Sequence, residues 1–285
     1  MKTEPRIILI TGAGAGIGAA LTRECLQRGA VVYAGVRNMS RAESDFADLK
    51  DTPGLRIIEL DVNDPAHGER AIDTITGEQG RLDVLVNNAG YGFYGVFEEL
   101  SEAGMRAQME TNFFAALRLM RLVLPAMRER GAGTIINVTS ILGRVVIPTG
   151  SAYTSSKFAL EAATEAVRYE AAPFGVWVTA VEPGLIHTNF KKNMEFSGGV
   201  GRSNSPYGFL NRQITREYKR LGTSADACAR IIARIIEKRR PKARYLIGLD
   251  AKLAAFARWL LPGSLLDFII RMRVRSMRRQ ASAGK

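Results

Sequence analysis

The chain has 285 residues, 46% of them hydrophobic, with two cysteines, two histidines and a formal net charge of +12. That is enough apolar material for one substantial core, and no stretch reads as a long linker, a repeat or a low-complexity region. The excess charge is local: residues 1–211 carry 21 basic and 23 acidic side chains, residues 212–285 carry 19 and 5, so a chain-wide nucleic-acid-binding surface is excluded.

Arg6 to Ile10 is a short β-branched run, as expected of a strand buried on both faces. It begins almost at the N-terminus, which leaves no room for a signal peptide, and a cytoplasmic location is expected. The run flows into Thr11-Gly-Ala-Gly-Ala-Gly-Ile-Gly18 and then into an apolar-periodic stretch from Ala19 to Arg28. Strand, glycine-rich turn and helix together form a dinucleotide-binding context. Gly12 permits the tight turn, Gly16 lets the backbone approach a pyrophosphate, and Gly18 lets helix and strand pack closely. Gly14 and Ile17 lie in the same turn, and the helix N-terminus offers N–H groups and a positive dipole end to the phosphates.

A second strand is expected over Ala30 to Gly35, followed by Val36-Arg37-Asn38. An acidic residue at this strand end would bind the adenosine ribose of NAD, whereas an arginine accommodates the 2′-phosphate of NADP. Arg37 therefore favours NADP(H), with NAD(H) as the alternative. Further strands are expected at Leu55–Leu60 before Asp61-Val62, at Asp83–Asn87 before Asn88-Ala-Gly90, at Gly133–Thr139 before Ser140, and at Val176–Val181 before Pro183-Gly184. Helical patterns intervene at about 66–79, 101–130 and 151–174. The alternation argues for one doubly wound parallel sheet, with functional residues where strands end at its carboxyl edge.

Tyr153-Thr-Ser-Ser-Lys157 follows Ser140 by thirteen residues. On a helix, the four-residue spacing puts phenol and ammonium on one face. A free tyrosine titrates near about 10; a neighbouring cation favours the phenolate, so that Tyr153 can exchange a proton with an alcohol or carbonyl oxygen. Ser140 would hold the same oxygen by a hydrogen bond. Cys25 and Cys228 lie far apart within apparent helices, as reduced, buried thiols would, and nothing suggests a metal site. His67 reads as a surface residue near a helix start, and His187 as a loop-packing residue.

These motifs, with Asn112 between them, resemble the short-chain dehydrogenase/reductase family in residue type, order and spacing over residues 6 to about 250. The resemblance implies an oxidoreductase with a Rossmann-type seven-stranded parallel sheet and helices on both faces, usually a homodimer or homotetramer. It also implies roles. Tyr153 is the proton donor in reduction and the acceptor in oxidation. Lys157 binds the nicotinamide ribose and tunes Tyr153, Ser140 polarises the substrate oxygen, and Asn112 positions a water in a proton relay behind Lys157. Asp61 and Val62 meet the adenine, Asn88, Ala89 and Gly90 line the cofactor, and Pro183, Gly184, Ile186 and Thr188 form the loop that reaches the carboxamide. Asn87 to Tyr94 and the basic C-terminal extension resemble the hydroxysteroid- and retinol-type branch.

The segment from Leu185 to about Leu221 reads as a substrate lid, with Phe190, Met194, Phe196, Tyr207, Phe209 and Leu210 and with glycines at 198, 199, 201 and 208 that permit movement. Tyr91-Gly-Phe-Tyr94, Ile141, Leu142 and Val146 add apolar surface. Such walls suit a bulky hydrophobic alcohol or ketone better than a sugar. Two other functions share these motifs: a ketoreductase acting on carrier-bound 3-ketoacyl groups, and a dinucleotide-sensing protein without turnover.

The catalytic domain is expected over residues 1–250, with an amphipathic helix near 224–239 and a last strand near Tyr245. Residues 251–285 form a basic helical extension broken by Pro262-Gly263. At 100° per residue, Arg271, Arg275, Arg278 and Arg279 share a sector of about 100°, with Phe268, Ile269, Ile270 and Met272 mostly outside it. The stretch is too short and polar to span a bilayer. Three readings stand: an anionic membrane interface, with Trp259 and Phe268 at the acyl boundary; a cap over the cleft or a subunit interface; and nucleic acid, which no recognised module accompanies.

Overall fold

The computed structural model describes residues 4–187, 194–197, 205–210 and 222–283. The apolar runs become the seven parallel strands of one sheet: β1 (Ile7–Thr11), β2 (Val31–Val36), β3 (Leu55–Glu59), β4 (Val84–Asn87), β5 (Gly133–Val138), β6 (Val176–Pro183) and β7 (Arg244–Ile247). Their order is β7-β6-β5-β4-β1-β2-β3. The chain winds outward from β1 in one direction and from β4 in the other, so the strand order reverses between these two neighbours. At such a switch point the carboxyl ends of the strands open a crevice.

Alternation along β1 shows why the sheet is covered twice. Ile8 and Ile10 join one core with Val32, Val84 and Val86, covered by α1 (Gly16–Gln27) and α7 (Ala225–Ile236) through Leu21, Leu26, Ile232 and Ile236. Ile7 and Leu9 join the opposite core with Tyr33 and Leu85. That core is covered by α3 (Pro65–Gln79) and α5 (Ala115–Arg130) through Ile75, Leu119, Met120 and Val123. Each fully buried aliphatic side chain contributes about 1.5–3 kcal/mol. Cys25 on α1 and Cys228 on α7 are free, buried thiols within the first of these cores, and burial pushes each up to about 12.

The helical pattern expected to run unbroken over 101–130 is interrupted. α4 (Glu102–Met109) leads into a π turn over Glu110–Phe114 before α5 begins. The π turn widens the helix by one residue at Asn112, and such widenings occur frequently at functional sites. Two further helices complete the core domain: the short α2 (Met39–Asp45), capped by the Asn38 side chain, and the long α6 (Ser151–Ala171). The C-terminal extension forms α8 (Leu249–Leu260) and α9 (Gly263–Ala283). Among the described residues no helix is long and apolar enough to cross a membrane.

Candidate active site

The glycine turn sits where β1 meets α1, and its glycines have separate causes. Gly12 has φ +62°, and a β-carbon there would lie 2.9 Å from the Ala89 Cα; Gly16 has φ +57°. A β-carbon on Gly18 would run into the Gly12 carbonyl. At Gly14 it would meet only Val36, at an ordinary 3.6 Å. Ile17 is half-buried against the core. Ala15, at the N-cap of α1, supplies no side-chain acceptor, and the first turn contains no acidic residue. The opening N–H groups and the positive dipole end are thus left for an anion.

Thr11 clamps this turn to the end of β4. Its hydroxyl accepts from the backbone N–H groups of Asn88 (3.0 Å) and Ala89 (2.9 Å), and the Asn88 side chain donates back to the Thr11 carbonyl (2.9 Å). Arg37 is exposed just past β2. Asp61 accepts from the Asn63 N–H at 3.0 Å, and Val62 is buried. His67, expected at the surface, is half-buried instead, because its Nδ1 accepts the Asp61 N–H at 3.2 Å.

Ser140, Tyr153, Lys157 and Asn112 are all buried. Ser140 Oγ accepts from the Leu142 N–H at 3.1 Å, which fixes its χ1 while leaving its proton to donate. The Lys157 ammonium lies 5.8 Å from the Tyr153 ring centroid and donates to the Val138 carbonyl at 3.0 Å. Burial pulls Lys157 down to about 8, opposed by the charge of Glu161. Asn112 Nδ2 donates to Ser156 Oγ (3.1 Å), one residue before Lys157. A β-carbon on Gly90 would fall 2.9 Å from Asn112 Oδ1 and 3.6 Å from the Lys157 nitrogen, so only glycine leaves the lysine approachable from that side.

Tyr153 packs with Tyr94, Met194 and Leu142, its ring centroid 5.4 Å from that of Tyr94. Tyr94 belongs to a short strand, Gly92–Tyr94, paired in parallel with Met194–Phe196. Phe93, expected on the same apolar wall, points the other way and packs with Leu100 and Ala152, because side chains alternate along a strand.

Sequence reading missed a charged layer beneath these residues. Glu161, one helical turn after Lys157, and Glu182 on β6 are buried. Arg144 reaches Glu182 at 2.8 Å, and Arg244 reaches Glu161 at 3.1 Å and Glu165 at 2.6 Å. Thr139 donates to Glu161. Burial pushes Glu182 up to about 7, with the charge of Glu161 adding to the rise and the two arginines opposing it. The spacing Lys157, Glu161, Glu165 on one helix face was the available signal.

Pro183 ends β6, and the Leu185 N–H after it donates to the Asp250 carboxylate at 2.6 Å. A β-carbon on Gly184 would collide with that carboxylate. Ile186 and His187 pair with Thr223 and Ser224 in a two-stranded ribbon. Thr188, Phe190 and the glycines at 198, 199 and 201 lie outside the described residues.

A family model described as short chain dehydrogenase matches residues 6–196. The chain is 34% identical over 273 residues to the 3-ketodihydrosphingosine reductase of Bacteroides thetaiotaomicron, covering 94% of this chain and 98% of that one. It is 33% identical over 258 residues to retinol dehydrogenase 8 of Bos taurus, covering 86% and 82%. A short chain dehydrogenase from Burkholderia cenocepacia, solved in complex with NADP, superposes with a TM-score of 0.73 at 29% identity, covering 95% of this chain and 99% of that one.

Proposed function

This chain belongs to the short-chain dehydrogenase/reductase family of NAD(P)-dependent oxidoreductases, and from that premise we propose that it interconverts a bulky hydrophobic alcohol and its carbonyl counterpart, a secondary alcohol and ketone or an alcohol and aldehyde, with NADP(H) as the preferred cofactor. The observation that carries this reading is the setting of Tyr153: a buried phenol with an ammonium on one side and Tyr94, Met194 and Leu142 on the other. The two relatives are named for 3-ketodihydrosphingosine and retinol, hydrophobic molecules that carry a ketone and an alcohol.

The uncapped N-terminus of α1 and the glycine turn fit a pyrophosphate, and the gap kept open by Gly90 fits a ribose beside Lys157. When bound, the nicotinamide supplies or takes the hydride. The chain's own residues do the rest. Arg37 receives the 2′-phosphate, Asp61 and Val62 border the adenine, and Asn88 to Gly90 line the groove. Pro183, Gly184 and Ile186 close its far side. Lys157 binds the ribose hydroxyls and stabilises a phenolate at Tyr153. Ser140 donates its free proton to the substrate oxygen. Tyr153 gives that oxygen a proton in reduction and removes one in oxidation. Asn112 borders the Gly90 side of Lys157, where it positions the water of a proton relay. Holding the reactants side by side contributes several kcal/mol of barrier reduction, out of about 7–11 kcal/mol available from orientation. The working form is a homodimer or homotetramer.

A panel of hydrophobic ketones and alcohols, followed by nicotinamide absorbance with both NADP(H) and NAD(H), tests the reading. Turnover of long-chain or polycyclic substrates, faster with NADP(H), is expected. Turnover confined to carrier-bound 3-ketoacyl thioesters, or cofactor binding without turnover of any substrate, would overturn it.

A further inference from the structure

Helix α8 turns its apolar side away from the protein. Leu249, Leu253, Phe256 and Leu260 fall within about 60° of one another around the helix, and all four are 55–67% exposed. Trp259 beside them is 80% exposed, whereas Ala251 on the opposite side is fully buried. Helix α9 continues the surface with Leu265, Phe268, Ile269 and Met272, all exposed. Nine large apolar side chains on two consecutive helices form a patch of the kind that marks an interaction surface.

Charge decides what covers it. Residues 249–283 carry seven Lys and Arg against two Asp, while residues 1–211 are close to neutral. Lys252 lies on the helix between Trp259 and Phe256, Arg271 and Arg275 flank one edge of the apolar stripe of α9, and Arg279 continues that stripe two turns beyond Met272. A second copy would bring the same cations against these and be repelled. A nucleic acid would meet the arginines and leave Leu249, Leu253, Phe256 and Trp259 in water. An anionic bilayer surface satisfies both halves: phosphates for the cations, and the acyl boundary for the aliphatic and indole groups. The patch also adjoins the candidate cleft, since α8 packs on the Ile141–Gly143 turn behind Ser140 and its Asp250 holds the Leu185 N–H.

We propose that the outward apolar face of α8 and α9, with its flanking cations, docks this protein on an anionic lipid surface. The test is flotation of the full-length protein with vesicles of phosphatidylcholine alone or containing phosphatidylglycerol, at low and high salt. The readout needs no turnover, so it stands or falls separately from the proposed reaction. Wild type is expected to float with the anionic vesicles at low salt and to be released as salt rises. The double variant F256D/W259D, altered only at exposed positions, is expected to lose at least about tenfold in partitioning, and R275E/R279E to lose the salt-sensitive part. A wild-type protein that stays unbound at low salt overturns the proposal. So does a F256D/W259D variant that floats as well as wild type. So does one whose only change is a lower sedimentation mass, the sign of a contact between copies.

Discussion

The carboxamide of Asn112 pairs with the backbone of Tyr91 through both of its groups: Nδ2 donates to the Tyr91 carbonyl at 3.0 Å, and Oδ1 accepts the Tyr91 N–H at 3.1 Å. Its other Nδ2 proton goes to Ser156 Oγ, which in turn donates to the Tyr153 carbonyl at 2.7 Å. One side chain on a π turn thus ties the loop beyond Gly90 to the helical turn that carries Tyr153 and Lys157. Asn112→Ala leaves the part-buried Tyr91 N–H unpaired, while the Tyr91 carbonyl keeps the Gln108 amide at 2.9 Å, at about 1–3 kcal/mol. We expect urea unfolding to show that loss, and kcat to fall at least about tenfold as Lys157 is displaced. Reduced stability with unchanged kcat would confine Asn112 to a structural part.

Arg37 stands exposed at the end of β2 with no acidic residue beside it in sequence. Arg37→Ala should raise the KM for NADPH by about tenfold or more, the loss of one charge-assisted hydrogen bond of about 1.5–3 kcal/mol. The KM for NADH should hardly move. Equal effects on both cofactors in steady-state assays would remove Arg37 from phosphate recognition.

The buried charges give stability an unusual dependence on pH. Glu182 is an acid whose folded value, about 7, lies above its ordinary 4.5. The folded state therefore binds more protons between those values, and stability falls as pH rises through that window. Lys157 is a base whose folded value, about 8, lies below its ordinary 10.5. Here the unfolded state binds more protons, and stability rises with pH between about 8 and 10.5. Thermal unfolding of the cofactor-free protein should trace a trough near pH 7–8. Glu182→Gln should flatten its acid limb. Lys157→Met should flatten the alkaline limb and raise stability at neutral pH by at most about 3 kcal/mol while abolishing turnover. A lysine variant less stable than wild type at pH 7 would refute the burial argument.

Much of this was legible in the residues themselves. The strands declare themselves as short apolar runs, several of them ended by Gly, Asn or Pro, and their helices as periodic stretches between them, so both the parallel sheet and its carboxyl-edge residues follow from local pattern. What escaped depends on distant partners. The strand at Gly92–Tyr94 exists because Met194–Phe196 pairs with it, about a hundred residues later, and that pairing alone decides that Tyr94 faces Tyr153 while Phe93 faces Leu100. Glu161 and Arg144 look like solvated charges until β6 and β7 bring Glu182 and Arg244 beneath α6 to meet them. The π turn at Asn112 shifts the apolar period by a single residue, too little to show within a pattern of thirty.

Proton transfer by the Tyr153 hydroxyl is tested with the least disturbance by Tyr153→Phe, because the ring keeps its packing against Tyr94 and Leu142. Turnover of a hydrophobic ketone and NADPH affinity, measured side by side, should separate: kcat lost by at least about a hundredfold, the size of a general-acid contribution, with the dissociation constant of NADPH within a few-fold of wild type. A phenylalanine variant that still turns over, or one that loses cofactor binding as completely as activity, would rule out Tyr153 as the proton-transfer group.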